Sequence, residues 1–177
     1  MRLLGFYWGI TGVLGILLYA ILRLAPKVLT MTEHALTPLQ WGSLIVFVLY
    51  MAHAEGYKGF YLNFAPRVVA RANCLRLQYS NDLNSPVSGF LPILFAPLFC
   101  MGYFYATRKR MITSFLVTAG IVCLVQVVGL LSQPWRGIID AGVVVGLGIG
   151  VCSILGFWSQ IERSTWDHSI SVDLPNS

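Results

Sequence analysis

The stretch AGVVVGLGIGVCSILGFW, residues 141 to 158, carries no charged side chain. The hydrocarbon core of a bilayer is about 30 Å thick, and a helix needs about 20 apolar residues to cross it, so this stretch predicts a transmembrane helix. Within it, Gly142, Gly146 and Gly150 recur at every fourth position. Helices in lipid associate through close backbone approach, which small residues allow. The spacing therefore predicts a helix-packing face, whose partner lies either in this chain or in another subunit.

The composition of the whole chain agrees with this interpretation. Of its 177 residues, 56% are hydrophobic and only 11% are charged, whereas a soluble domain carries roughly 25% charged residues. So few charges cannot cover a surface in water. We expect an integral, multi-pass protein of the cell (inner) membrane, in contact with membrane lipids. The net charge of +5 does not indicate nucleic-acid binding, because the basic residues cluster at the ends of apolar runs.

Four further apolar runs precede this stretch and set the predicted architecture. We predict an all-α, polytopic transmembrane bundle over residues 1–159, followed by a polar, mobile tail over residues 160–177. The five predicted transmembrane helices cover residues 3–24, 39–64, 87–107, 111–132 and 137–159. Pro92 and Pro97 lie in the third run, where they favour a kink or a late helix start. Four helices are the alternative, if the second run is re-entrant or lies at the interface.

A short interfacial helix is predicted over residues 66–78. In APRVVARANCLRL, residues 65 to 77, apolar residues line one side at helical spacing and arginines flank that side. A helix with this pattern lies at the headgroup level, with its apolar side toward the acyl chains. Because a guanidinium group can bind a phosphate through two hydrogen bonds, we expect Arg67 and Arg71 to contact lipid headgroups.

The lysine and arginine counts leave the membrane orientation open. With five helices, six basic residues fall on each side of the membrane. The preference of basic residues for the cytoplasmic side therefore selects neither orientation.

The stretch MAHAEGYKGF, residues 51 to 60, brings His53, Glu55 and Lys58 into a segment that otherwise looks membrane-buried. The uncharged residues that follow Pro38 span only about 25 Å as a helix, so a crossing helix must continue past Glu55. Glu55 and Lys58 are three residues apart and can pair. His53 and Glu55 lie about 160° apart on an α-helix, so they are poor partners for a shared metal. Ionisable groups inside a membrane mark a candidate site.

Further polar groups complete the predicted site. Arg136 and Asp140 are four residues apart at a helix start, where they can pair and where Asp140 favours the positive helix end. With five helices, this turn shares a side with the segment after Glu55. The predicted polar mouth comprises Glu55, Lys58, Arg67, Arg71, Arg136 and Asp140. Gln126 is the main strongly polar group that we predict deeper in the bundle.

No motif of a catalytic or cofactor-binding site is present in the sequence. The chain has no HExxH, GxSxG or GxxxxGK[ST] pattern, and its three histidines, His34, His53 and His168, are scattered. We therefore expect no catalytic residue, no metal site and no cofactor, and we favour a protein that is not an enzyme.

Three hypotheses about function follow. The first is an accessory or assembly protein that associates with other transmembrane helices, in a homo-oligomer or in a membrane complex. The second is a small transporter or channel-like protein with a polar pathway near Glu55, His53 and Gln126. The third is a membrane enzyme that acts on a lipid-like substrate, with the segment from Glu55 to Arg71 and Asp140 as its site.

Overall fold

A computed structural model of the chain describes residues 2–33, 35–81 and 93–163, and these residues are almost entirely helical. The elements are α1 (Arg2–Thr32), α2 (Pro38–Met51), the π-helix π1 (Ala52–Phe64), α3 (Ala65–Asn81), α4 (Ala96–Met101), α5 (Arg108–Gly129) and α6 (Trp135–Glu162). Residues 93 and 94, just before α4, are also helical. Because α2, π1 and α3 follow one another without a break, these elements make five continuous helices. The predicted all-α helical bundle is confirmed.

Among the described residues, three helices are long and apolar enough to cross a membrane, namely α1, α5 and α6. The bounds of α5 and α6 differ from the predicted bounds by two or three residues. Helix α1 runs on to Thr32, beyond the predicted end near residue 24. Most of the predicted tail, residues 164–177, lies outside the described residues.

The continuous helix formed by α2, π1 and α3, which we call the second helix, begins where its sequence provides a cap. Thr37 accepts a hydrogen bond from the backbone nitrogen of Gln40 (3.4 Å), and the side chain of Gln40 accepts one from the backbone of Thr37 (2.9 Å). This reciprocal arrangement satisfies two backbone donors at the helix start, and Pro38 suits the first turn because it has no N–H to satisfy.

The helix predicted over residues 66–78 is present within α3, but it is not separate from the second helix. Helix α3 continues π1 without a break, so the second helix does not end near residue 64. Its apolar side is part of the protein core, since Val68, Val69 and Ala72 are fully buried. That side packs against α1 and α4, and it therefore does not face lipid acyl chains.

The predicted spanning helix over residues 87–107 is also corrected. Helix α4 ends at Met101, where Gly102 adopts a left-handed conformation with φ of 84°. Glycine has no Cβ and adopts this conformation at little cost, so it stops the helix here. A helix of six residues is far too short to cross a bilayer. Residues 82–92 of the predicted helix lie outside the described residues.

Helices α1 and α6 run antiparallel. The side chain of Met31, near the end of α1, covers Gly137 at the start of α6. At the other end, the rings of Tyr7 and Trp158 are 6.0 Å apart, edge to face. The second helix runs parallel to α6, because Gly142 of α6 meets Phe47 and Gly150 meets Phe60. It is therefore antiparallel to α1.

The two ends of the bundle hold different elements. One end of the bundle holds the start of α1 and the end of α6, together with α3 and α4. We call it the basic end. Helix α5 also starts there, because the Ser114 hydroxyl donates to the carbonyl oxygen of Met101 (3.0 Å). The turn between α5 and α6, with Gly129 and Arg136, marks the opposite end. The largest buried cluster includes Phe6, Ile10 and Val13 of α1, Val68, Val69 and Ala72 of α3, Phe99 of α4 and Ile154 of α6.

Candidate polar site and helix-packing faces

The predicted glycine face of α6 packs within the chain. A Cβ atom at Gly142 would lie 2.6 Å from the ring of Phe47, and a Cβ atom at Gly150 would lie 2.6 Å from the ring of Phe60. Both neighbours belong to the second helix, and their order shows that this helix runs parallel to α6. The glycines at residues 142, 146 and 150 thus let the second helix approach α6 closely. The structure places the partner of this face in the same chain.

Glu55 occupies the middle of this helix pair. Its carboxylate oxygen would lie 3.4 Å from a Cβ atom at Gly146, and the side chain is partly buried. Gly146 is about 17 Å along α6 from Trp135, at 1.5 Å per residue. Glu55 therefore lies about three helical turns inside the bundle, counted from the start of α6.

The predicted pairing of Glu55 with Lys58 is absent. Both side chains are described, and no ion pair joins them; Lys58 is exposed. Residues 52 to 64 form a π-helix, in which each N–H bonds to the carbonyl five residues earlier, so one turn holds more residues than in an α-helix. Side chains three residues apart then no longer lie above one another, and this explains the failed prediction.

An aromatic ladder on π1 was not predicted. The His53 ring stacks on Tyr57 with centroids 5.9 Å apart, and Tyr57 stacks on Tyr61 at 5.6 Å. Tyr61 then contacts Phe157 of α6 at 5.5 Å. His53 itself is exposed, on a different side of the helix from Glu55. The residues recur at every fourth position, which is the signal that could have revealed the ladder.

Arg71 is buried, contrary to the prediction that it contacts lipid phosphate. Only 1% of its surface is exposed. Its Nε donates to the carbonyl oxygen of Phe99 (2.7 Å), and Nη2 donates to those of Phe104 (3.0 Å) and Tyr105 (2.9 Å). The guanidinium carbon also lies 4.3 Å from the Phe99 ring centre. Arg71 therefore fastens α3 to the end of α4 and to the turn that follows it. On a helical wheel it lies beside Leu75, within the apolar side, which the sequence could have shown.

Two cysteines lie near Arg71 and are poor nucleophiles. Burial raises the pKa of Cys100 to about 12, although the positive charge of Arg71 opposes this shift. Burial likewise raises the pKa of Cys74, again against the effect of Arg71. Both thiols stay protonated at neutral pH, and only the thiolate is reactive. Neither cysteine supplies a catalytic group.

Arg136 and Asp140 form the predicted pair at the opposite end. Arg136 Nε lies 3.9 Å from Asp140 Oδ2, and Asp140 is 4% exposed. Nearby, the Gln133 amide donates to the Lys27 carbonyl oxygen (3.2 Å) and to the Thr30 hydroxyl (3.1 Å) of α1. This polar cluster joins the start of α6 to the end of α1.

The predicted polar mouth is not assembled. Arg67 and Arg71 lie at the basic end, Arg136 and Asp140 lie at the opposite end, and Glu55 lies between them. The cause is the third apolar run: because α4 does not cross the bundle, the turn before α6 falls on the side away from α3. The expectation that Gln126 lies inside the bundle is also wrong, since its side chain is exposed on α5.

Comparisons with known proteins do not name a family. No protein-family model, no curated protein and no solved structure matches the chain. Among the described residues, no group of three or more His, Cys, Asp or Glu side chains is placed to hold a metal ion.

Proposed function

We propose that this chain is a non-enzymatic, multi-pass membrane protein that acts as an accessory or assembly partner by binding other transmembrane helices. The observation that carries the proposal is the exposure of α5. Every residue from 115 to 127 is exposed, and only 6% of the most apolar part of α5 is buried, against 39% for α1 and 44% for α6. Transmembrane helices normally pack against neighbouring helices. Helix α5 thus offers almost its whole surface to a partner.

The glycine face no longer supports this function. The sequence left open whether the partner of this face lies in this chain or in another subunit, and Gly146 packs against Glu55 of the same chain. A large side chain there would disturb the fold of the monomer. The proposed contact with partners therefore moves from α6 to α5.

The proposal includes four membrane crossings, formed by α1, the α2–π1 segment, α5 and α6. It also includes the orientation of the protein in the membrane. Seven described basic side chains lie near the basic end, namely Arg67, Arg71, Arg76, Arg108, Lys109, Arg110 and Arg163. Three lie nearer the opposite end, namely Arg23, Lys27 and Arg136. Lys58 lies between them. Since basic residues favour the cytoplasmic side, the basic end faces the cytoplasm in a cell (inner) membrane. The earlier tie arose because the third run was counted as a crossing, which moved residues 108–110 to the other side.

Photo-crosslinking in native membranes tests the proposed function. A photoreactive amino acid replaces Leu116 on α5, which is 65% exposed, and Leu155 on α6, which is 45% exposed, serves as the matched control. We expect Leu116 to yield one reproducible polypeptide adduct that also co-purifies in mild detergent, and Leu155 to yield lipid adducts. If both positions yield only lipid adducts, α5 has no protein partner and the proposal fails.

A small transporter remains a second candidate because of Glu55. Its carboxyl group lies mid-way along a helix pair and inside a 13-residue π-helix. Acidic groups at membrane depth often line ion pathways. Glu55→Gln would abolish ion-coupled flux into proteoliposomes with assembly intact if this candidate is correct. A lipid-processing enzyme at Arg67 and Arg71 is not proposed, since three carbonyl oxygens already engage Arg71.

A further inference from the structure

The side of α5 that carries Gln126 faces away from the rest of the chain. Two residues mark the side that faces the bundle: Ser114, which bonds to the carbonyl oxygen of Met101, and Val128, which is 7% exposed. At about 100° per residue, Gln126 lies roughly 120–160° round the helix from both. No described residue of the same chain is therefore positioned to bond its amide.

The Gln126 amide is the exposed polar group of α5 that local hydrogen bonds do not satisfy. The hydroxyls of Thr113 and Thr118 donate to the carbonyl oxygens of Lys109 and Ser114, both at 2.9 Å. The side chain of Gln126 makes no hydrogen bond to the described residues. It lies five residues before the end of the apolar run, about 8 Å inside it. Lipid tails offer no donor or acceptor, so an unbonded amide there is costly.

A second copy of the chain fits this surface. A glutamine amide both donates and accepts hydrogen bonds, so it complements another glutamine. Identical chains insert into a membrane in the same orientation, and a two-fold axis along the membrane normal then sets identical residues at identical depth. Small residues at positions 119 and 123, Ala119 and Cys123, lie within about 60° of Gln126 and allow two helices to approach closely.

We propose that two copies of this chain pair along α5, with the Gln126 amides bonded to each other across the two-fold axis. The inference depends on the proposed function, because it names the partner that covers α5. It uses Gln126 as the polar contact and Ala119 and Cys123 as the close contacts.

Oxidative crosslinking of the full-length chain in native membranes tests the pairing. Cys123 and Cys152 are exposed, whereas Cys74 and Cys100 are buried. We expect a disulfide-linked dimer in the natural chain and none in Cys123→Ala. The matched control adds Ile121→Cys to the Cys123→Ala chain, because position 121 lies about 140° round α5 from Gln126, and no dimer should form.

A second variant separates a specific contact from chance collision. Gln126→Leu should weaken the dimerisation constant about 3- to 30-fold, the range expected when one interhelical hydrogen bond is lost in a membrane, and Gln126→Asn should restore part of it. An unchanged constant in Gln126→Leu overturns the proposal. A Cys123 adduct to a different polypeptide also overturns the homodimer but leaves the proposed function standing. A monomer whose α5 collects only lipid adducts overturns both.

Discussion

The replacement of Gly150 by alanine is the sharpest test of the packing between the second helix and α6. A Cβ atom at position 150 would lie 2.6 Å from Cδ1 and 2.8 Å from Cγ of Phe60. Cγ is close to the backbone, so a ring rotation does not clear the contact. Phe60 is also held by Phe64, whose ring lies edge-on with centroids 5.4 Å apart. The helices must therefore separate locally to admit the methyl group.

The magnitude follows from a comparison with Gly148, which lies two residues away on the same helix. A Cβ atom at Gly148 would meet nothing within 4 Å. Both substitutions gain the helix propensity of alanine over glycine, about 1 kcal/mol, and this gain cancels between them. Overpacking a well-packed interior costs about 1–3 kcal/mol. Gly150→Ala should therefore be less stable than Gly148→Ala by about 1–3 kcal/mol.

Reversible unfolding in mixed micelles, with increasing SDS and helicity followed by circular dichroism, measures this difference. Gly148→Ala should exceed the stability of the natural chain by up to about 1 kcal/mol, and Gly150→Ala should lie between about 0 and 2 kcal/mol below the natural chain. Equal stability of the two variants would refute the close contact between α6 and the second helix.

Three further predictions concern Arg71, the orientation and Cys100. Arg71→Gln should destabilise the chain by about 1–3 kcal/mol, because it leaves at least one buried carbonyl oxygen without a donor, whereas replacing Arg163, whose side chain is exposed, by glutamine should cost less than about 0.5 kcal/mol in the same unfolding assay. An impermeant thiol reagent applied to intact cells should label Glu33→Cys but not Lys109→Cys, and the reverse labelling would contradict the orientation. Burial raises the pKa of Cys100 to about 12 from the ordinary 9.0, so above pH 9 the unfolded chain loses this proton first. Stability should therefore fall as pH rises from 9 toward 12, and Cys100→Ala should flatten the profile.

The apolar runs predicted the helices well wherever the run was uninterrupted. Helices α5 and α6 lie within three residues of the predicted bounds, because 20 or so apolar residues specify a helix without help from tertiary contacts. The glycine face of α6 was also visible from spacing, but its partner was not. Whether the second helix or another chain fills a groove depends on which helices the fold brings together.

The prediction for the third apolar run was wrong because Gly102, a residue that commonly ends helices, was given too little weight. Gly102 ends α4, and a short α4 changes the side on which every later turn falls. Because of this single difference, the residues of the predicted polar mouth lie apart, and the two ends of the bundle no longer carry equal numbers of basic residues. The hydrogen-bond partners of Arg71 could not be predicted for a related reason, since these carbonyl oxygens become available only where α4 ends.

The geometry of Glu55 could not be read from α-helical periodicity. Residues 52 to 64 adopt a π-helix. No sequence pattern in MAHAEGYKGF predicts a change from α-helical to π-helical hydrogen bonding. Faces worked out at about 100° per residue then assign Glu55 and Lys58 to the same side, whereas the structure separates them.

Carbene footprinting of the natural chain in its own membranes, with a lipid-soluble diazirine and residue-level mass spectrometry, tests most directly whether α5 binds a partner helix. Lipid-facing residues should be labelled at α1, α6 and most of α5. We predict that residues 119, 123 and 126 are protected, in a pattern that repeats every three to four residues along α5. Labelling that is uniform around α5 from residue 115 to 127 would contradict the account.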